Sequence, residues 1–494
     1  MVRPSASLIF RTLYWIFPLL LVAFSLFTVV VPVARAFYRL NINYNEGWNA
    51  YNAEAAAHHV LLYGTKYGWT TVNYPLGSFY LIGFLSRFGG DPVRVGRLVS
   101  LVSLCVSCVL VAWIVRRLTG HWGSAVFAGA FCLALFGLIG SHYVGMNDPQ
   151  MLAHPLFLAG LLLYLSGADS TGAIIAIVGL FVLGGNIKHI LLPTPLAVFF
   201  DLCFVSRSKA RRFLLFAATF LGVSIAMNML VGGPYFISKL MTPRTFTLAR
   251  VLHLAMLSRF STLQIPVAIG VLWSIGQLRN AKFRVISLYF LVSLVLGLAF
   301  TSGAGVSVNA YFDIFLAMSI VMGLCVDSTW HTTTAFLTDA SPWRLALPSL
   351  ICLGLFFTFA TAPIRVRSQL RQLPVEQRQF DVDVSFIASQ PGPVLCESIL
   401  ACFYAGKPFV YDSFNAGCLM KFKKLDGREI VEEITERKFG AIQIESPLTD
   451  MYRDPEPGFD TDILDAIGRS YVIGSQAGSI IYIPRPDGAP ANGQ

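Results

Sequence analysis

TLYWIFPLLLVAFSLFTVVVPV, residues 12–33, runs for 22 positions without one charged side chain. About 18–20 such residues are what an α-helix needs to cross a hydrocarbon core about 30 Å thick. Arg3 and Arg11 precede the run, and Arg35 and Arg39 follow it. No small-residue cleavage site follows a short apolar core, so the run is expected to be a retained anchor.

The rest of the chain repeats this pattern. Further apolar runs lie near 98–115, 124–144, 151–166, 171–187, 190–206, 213–231, 262–278, 285–301, 308–326 and 345–363. They predict a polytopic α-helical membrane protein with about eleven transmembrane helices. Composition agrees. Of 494 residues 55% are apolar and 13% charged, and mean hydropathy is +0.64. Soluble domains carry about a quarter charged residues, so this chain could not cover a soluble surface. Disorder is excluded by the 13% aromatic content.

Net charge is +10, and its distribution gives an orientation. Arg116-Arg117, the cluster from Arg207 to Arg212, and Arg279, Lys282 and Arg284 fall on the same side as the N-terminus. The positive-inside rule makes that side cytoplasmic. An odd number of spans then places the C-terminus outside, in a cell inner (plasma) membrane. The external loops 34–97 and 232–261 are also basic, through Arg35 and Arg39 and through Lys239, Arg244, Arg250 and Arg259.

Near residue 366 charges and turn residues return. Strand-like pieces at Pro393–Leu395, Phe409–Tyr411, Gly440–Ile444 and Ser479–Ile483 alternate with helical pieces at 427–437 and 461–469. Residues 366–494 are therefore expected to form a small extracytoplasmic α/β domain after a transmembrane domain of residues 1–365.

Acids and amides gather at the external boundary. Asn43 and Glu46 have capping-box spacing, and Glu46 opens a surface helix whose Ala50, Ala53 and Ala57 form a face open to close approach. A carboxylate there can serve as a general base. Asp91-Pro92 and Asp148-Pro149 read as N-caps with proline at the first helical position. Asp148 shares the external side with Glu46, where an ionisable group is costly unless used. Lys188, in Asn186-Ile187-Lys188-His189, either snorkels to the interface or holds a phosphate. Asp313, just inside an apolar run after Asn309 and Tyr311, should face protein or a water-filled cavity.

In their order along the chain these motifs resemble the GT-C superfamily of integral-membrane glycosyltransferases, especially the bacterial protein mannosyltransferase and lipopolysaccharide-core type. Asn45-Glu46-Gly47 with Tyr51 and Ala53 is similar to the first-loop acidic motif. Asn45 stands where that motif commonly has aspartate, which leaves Glu46 as its charged member. Asn73-Tyr74-Pro75 and Gly96-Arg97-Leu98-Val99-Ser100 resemble the Tyr-Pro-Pro and Arg-x-x-Ser elements. Asp148 is similar to the acid that starts the fourth span, and Lys188 sits where a Lys-Gln or Lys-Thr element is often found. Asn309, Tyr311 and Asp313 resemble an Asn-Tyr-x-x-Glu element.

The resemblance implies transfer of a sugar from a polyprenyl-phosphate donor to a lipid, glycan or protein acceptor on the extracytoplasmic face. Glu46 would be the base and Asp148 its supporting acid. Asn45, Tyr51, Tyr74, Arg97, Lys188, Asn309, Tyr311 and Asp313 would bind substrate, with Arg244 and Arg259 as further phosphate ligands. One base and one displacement invert the anomeric centre, unlike the paired carboxylates of retaining hydrolysis.

No cofactor, metal or nucleic-acid partner is expected. His58-His59 cannot easily face one ion, and the spacing of His142, Asp148 and His154 matches no standard site. Of nine cysteines, Cys396, Cys402 and Cys418 fall in the external domain, where one pair can form; the sequence does not choose it. Two other classes share the composition: a transporter or flippase of lipid-linked sugars, and a non-catalytic envelope-assembly protein. A transporter would place its acids at mid-membrane on broken helices.

Overall fold

The computed structural model describes residues 6–167, 170–256, 262–331, 343–357, 362–452 and 458–486. A helix occupies each apolar run read from the sequence, from Ala6–Thr28 to Trp343–Phe357. Among the described residues five helical segments are long and apolar enough to cross a membrane: Trp15–Arg35, Pro92–Thr119, Arg207–Gly232, Arg284–Thr301 and Val308–His331. Trp122–Leu138, Pro149–Leu165, Thr171–Gly185, Pro193–Val205 and Leu345–Phe357 are shorter apolar helices. The protein is a multi-pass membrane protein.

Burial sorts these helices. Phe312–His331 is apolar around its whole circumference and is enclosed almost end to end, the position such a helix must take. It packs on Trp122–Leu138, Arg284–Thr301 and Pro92–Thr119. Arg207–Gly232 lies at the periphery, with Leu214, Leu215, Leu221, Val223, Met227 and Leu230 exposed. That row of large apolar side chains is a lipid-facing stripe.

The loop 34–97 folds into two short helices. Asn43 caps the first, Tyr44–Ala57, by accepting the Asn45 amide. The second, Gly77–Ser86, lies on the alanine face read from the sequence: a Cβ added at Gly83 would sit 2.4 Å from the Ala53 carbonyl oxygen.

Helix Ala362–Ser389 leads into the C-terminal domain, and the compositional boundary at 365–366 falls in its first turn. The domain has a four-stranded sheet: β1 (Val394–Cys396), β2 (Ala441–Ile444), β3 (Tyr471–Gln476) and β4 (Ile480–Pro484), in the order β1-β2-β4-β3. β1 and β2 are parallel, with Val394 opposite Ala441. β4 runs antiparallel to β2 and to β3. Phe409–Tyr411, expected as a strand, is loop; Tyr411 is buried between Trp69 and Phe459 instead. The helical pieces appear as Arg428–Thr435 and Thr461–Ser470. Cys396 and Cys402 form the disulfide, and Cys418 is buried outside it.

This domain is seated on the loop 34–97. A Cβ at Gly47 would come within 2.2 Å of the Leu400 amide nitrogen, so only glycine lets the two backbones meet. Tyr51 donates its hydroxyl to the Lys407 carbonyl at 2.6 Å and stacks on Phe409. The Asp412 amide donates to the Trp69 carbonyl at 2.8 Å, and the Tyr44 hydroxyl donates to the Asp412 carboxylate.

Candidate functional site

Between the membrane helices, the loop 34–97 and the C-terminal domain lies a cavity of about 1180 Å³. One wall comes from the membrane-embedded part, with Lys188, His189, Arg244 and Asn309. The N-terminal turn of Tyr44–Ala57 contributes Asn43, Tyr44 and Asn45, and the following loop Tyr74. The opposite wall is the C-terminal domain, with Glu397, Glu445, Asp450 and Phe414.

The cationic wall is built around Lys188. Its side chain is 1% exposed, and its ammonium sits 3.6 Å above the Tyr74 ring, a cation–π contact that holds it without neutralising it. Lys188 forms no ion pair with a described carboxylate. Behind it, Asp148 caps helix Pro149–Leu165 through the Gln150 amide at 2.8 Å. Burial raises the Asp148 carboxyl above its ordinary value, against the pull of the nearby Lys188 charge. His189 is pushed down to about 4, first by burial and then by Lys188 and Arg244, so it is neutral near pH 7. Its Nδ1 is buried without a hydrogen-bond partner. The Arg244 guanidinium lies 5.5 Å from the Phe414 ring of the opposite wall.

Glu46 is placed differently from the sequence expectation. It is fully buried and does not line the cavity. Arg97 grips both carboxylate oxygens, Nε to Oε1 at 2.8 Å and Nη2 to Oε2 at 2.7 Å. The Asn147 and Ile42 amides take the remaining acceptor positions at 3.0 and 3.2 Å. Arg97 in turn donates to the Tyr38 and Leu40 carbonyls at 2.6 and 2.7 Å. With its acceptor positions engaged away from the cavity, Glu46 as placed does not face the space where the expected base would meet an acceptor. Nor does it close the capping box, since its bond goes to Ile42 and not to Asn43. The cluster fixes the turn that carries Tyr44 and Asn45. A Cβ at Gly96 would fall 1.9 Å from Asn147 Oδ1, so glycine is what brings the Arg97 helix against Asn147.

The other expected site residues divide. Asn45, Tyr74, Lys188, Arg244 and Asn309 line the cavity. Asp148 lies behind it, and Tyr51 and Arg97 serve the joints described above. Asn309 exchanges two hydrogen bonds with Gln150, at 2.8 and 3.1 Å, which tie the cavity floor to the helix that Asp148 caps. Tyr311 and Asp313 lie off the cavity, and Asp313 accepts from Tyr289 at 3.2 Å. Arg259 lies outside the described residues.

Sequence reading missed the opposite wall. Glu397 directly follows β1 and Glu445 directly follows β2, the two parallel strands. Ligand sites gather beyond the carboxyl ends of parallel strands, and that rule was the available signal. The Glu397 carboxylate accepts the Glu445 amide at 2.7 Å, and Asn41 donates to Glu445 Oε1 at 2.9 Å. The protein around the cavity mouth desolvates the Glu445 carboxyl and raises it, although the side chain stays open to solvent, against the Asn41 hydrogen bond.

The architecture matches that of ArnT from Cupriavidus metallidurans solved with bound undecaprenyl phosphate. The match covers 94% of this chain and 97% of that one at 13% identity, with a TM-score of 0.60. The apo structure of the same protein gives 0.58 at 14% identity over the same shares. The chain shares the fold of that ArnT structure. An oligosaccharyltransferase from Archaeoglobus fulgidus superposes more loosely, with a TM-score of 0.48 at 12% identity over 97% of this chain and 75% of that one. No protein-family model and no curated sequence matches the chain. In this fold the cavity is walled by both domains, cations on one side and carboxylates on the other.

Proposed function

We propose that this protein is a membrane glycosyltransferase. It moves a sugar from a polyprenyl-phosphate donor to a lipid, glycan or protein acceptor on the extracytoplasmic face of the inner membrane, by a single inverting displacement. The observation that carries this reading is Lys188: a buried ammonium on a cavity wall, held over an aromatic ring and without an ion-pair partner among the described residues. A cation kept in that state suits a phosphate that arrives with its lipid, through a charge-assisted bond. Arg244 gives the phosphate a second cation, and stabilising the departing charge is the main catalytic demand of such a donor. Support also comes from the ArnT structure, which binds undecaprenyl phosphate in the same fold. The disulfide in the C-terminal domain fits an oxidising compartment.

In this reading the acceptor oxygen attacks the anomeric carbon as the bond to the phosphate oxygen breaks. The lipid phosphate leaves with the bonding electrons, and the acceptor proton passes to a carboxylate on the cavity wall. Glu445 takes that role: it faces the cavity, its raised affinity for protons suits a base, and Asn41 fixes its orientation. Asp148 lies behind Lys188, within reach of its field but not paired with it.

The test uses purified full-length protein with a panel of polyprenyl-phosphate sugars and membrane extract as acceptor source, alongside titration with undecaprenyl phosphate. Saturable undecaprenyl phosphate binding and labelled product are expected, both weakened about tenfold or more in Lys188→Ala. Binding without product, with sugar lipid moved across proteoliposomes, would make the protein a flippase and overturn the reading.

A further inference from the structure

At the opposite end of the bundle, beside Arg116 and Arg117, a second polar cluster bridges two helices. His121 precedes helix Trp122–Leu138, and Asp327 and His331 lie one turn apart at the end of helix Phe312–His331. His121 Nδ1 and His331 Nδ1 both approach Asp327 Oδ1, at 2.9 and 3.2 Å. The Ser124 hydroxyl donates to the same oxygen at 2.8 Å. Both imidazoles stack with ring centroids 3.5 Å apart and planes within 3°. Nothing in sugar transfer at the external cavity uses these groups.

We infer that His121, Asp327 and His331 form a binding site for a divalent transition-metal ion on the cytoplasmic face. One ligand atom from each of the three residues lies within 4.8 Å of the others, and both Nδ1 atoms converge on Asp327 Oδ1, so an ion entering between them would take over those contacts. Nitrogens about 2.0–2.1 Å from a tetrahedral ion lie about 3.3–3.4 Å apart, close to the separation of the stacked rings. On binding, each neutral ring carries its proton on Nε2, turns its Nδ1 lone pair to the ion, and the pair tilts out of parallel. Two imidazoles and a carboxylate suit zinc, cobalt or nickel and leave a position for water. The side chains are 41% (His121), 17% (Asp327) and 31% (His331) exposed, so an ion reaches them from solvent. Arg116 rests 5.3 Å over the Trp122 ring, and its charge works against the ion, so affinity is modest.

Such an ion would staple the start of one helix to the end of the most buried helix in the bundle. Untagged full-length protein, stripped with chelator and titrated with Co²⁺, is expected to bind one equivalent with a visible ligand-field band. Zn²⁺ should displace the Co²⁺ and raise the thermal midpoint. His121→Ala, Asp327→Asn and His331→Ala should each weaken binding at least tenfold, and His58→Ala, at an exposed histidine elsewhere, should leave it unchanged. If the alanine variants fail to insert, His121→Asn and His331→Asn keep a polar side chain and give the same comparison. Absence of stoichiometric Co²⁺ on the wild type, or full binding by the variants, would reduce the cluster to a hydrogen-bonded clasp.

Discussion

Arg97 and Lys188 are a matched pair in every respect but one. Both are buried, 2% and 1% exposed, and both stand near an acid expected to be functional. Arg97 is closed: its planar fork meets both oxygens of Glu46, and two carbonyls take further donors. Lys188 is open, a point charge over an aromatic ring, with Asp148 near enough to feel its field but engaged with its own helix. Arginine satisfies a fixed planar partner, whereas lysine keeps a charge in reserve. Burial alone therefore does not mark a functional ion; an unfinished set of partners does.

The largest effect should come from breaking the closed pair. Arg97→Ala leaves Glu46 as an uncompensated buried carboxylate, a loss of about 3–5 kcal/mol. Membrane yield and monodispersity on size exclusion should collapse; a well-folded Arg97→Ala protein with normal thermal midpoint would erase the distinction. Next comes the carboxylate wall. Glu445→Gln should cut transfer by about 10²–10⁴ while undecaprenyl phosphate still binds. A raised carboxyl is empty of its proton only above the ordinary carboxylate range, so wild-type rate should climb with pH through that higher region, and Glu445→Gln should lose that limb. An unchanged pH profile would remove Glu445 from the chemistry.

Opening the open pair further should cost less. Lys188→Ala forfeits one charge-assisted bond, about 1.5–3 kcal/mol or roughly 10–100-fold in undecaprenyl phosphate affinity, with little change in thermal midpoint. Lys188→Arg should restore part of that affinity, and equal loss of stability in both variants would make Lys188 structural. Smallest is the disulfide, whose cysteines are 6 residues apart. Cys396→Ser with Cys402→Ser should lower domain stability by about 2 kcal/mol or less and leave donor affinity intact.

Helices and caps were legible because they are local. Uncharged runs gave the bundle, and Asn43, Asp91 and Asp148 cap the helices they precede. The role of Glu46 was not legible, because its partners come from residues 97 and 147 and no spacing rule reaches that far. Phe409–Tyr411 looked like a strand because aromatics favour sheets, yet here they pack a loop against Trp69, Tyr51 and Phe459. β3 was hidden for the reverse reason: it is an edge strand with exposed positions at Ile473 and Gly474, so it shows little alternation. The carboxylate wall needed the parallel pairing of β1 with β2, which links segments separated by three helices.

One wall of the cavity is encoded after the helices that form the other. The carboxylates that close it follow strands encoded far downstream of every membrane helix, and chains fold broadly in the order of synthesis. During biogenesis the nascent protein therefore passes through a stage in which the bundle is inserted and Lys188 already stands at the boundary, while half the chamber is missing. An anion that reached Lys188 at that stage would meet no carboxylate wall, so the order of synthesis separates exposing the cation from completing the chamber.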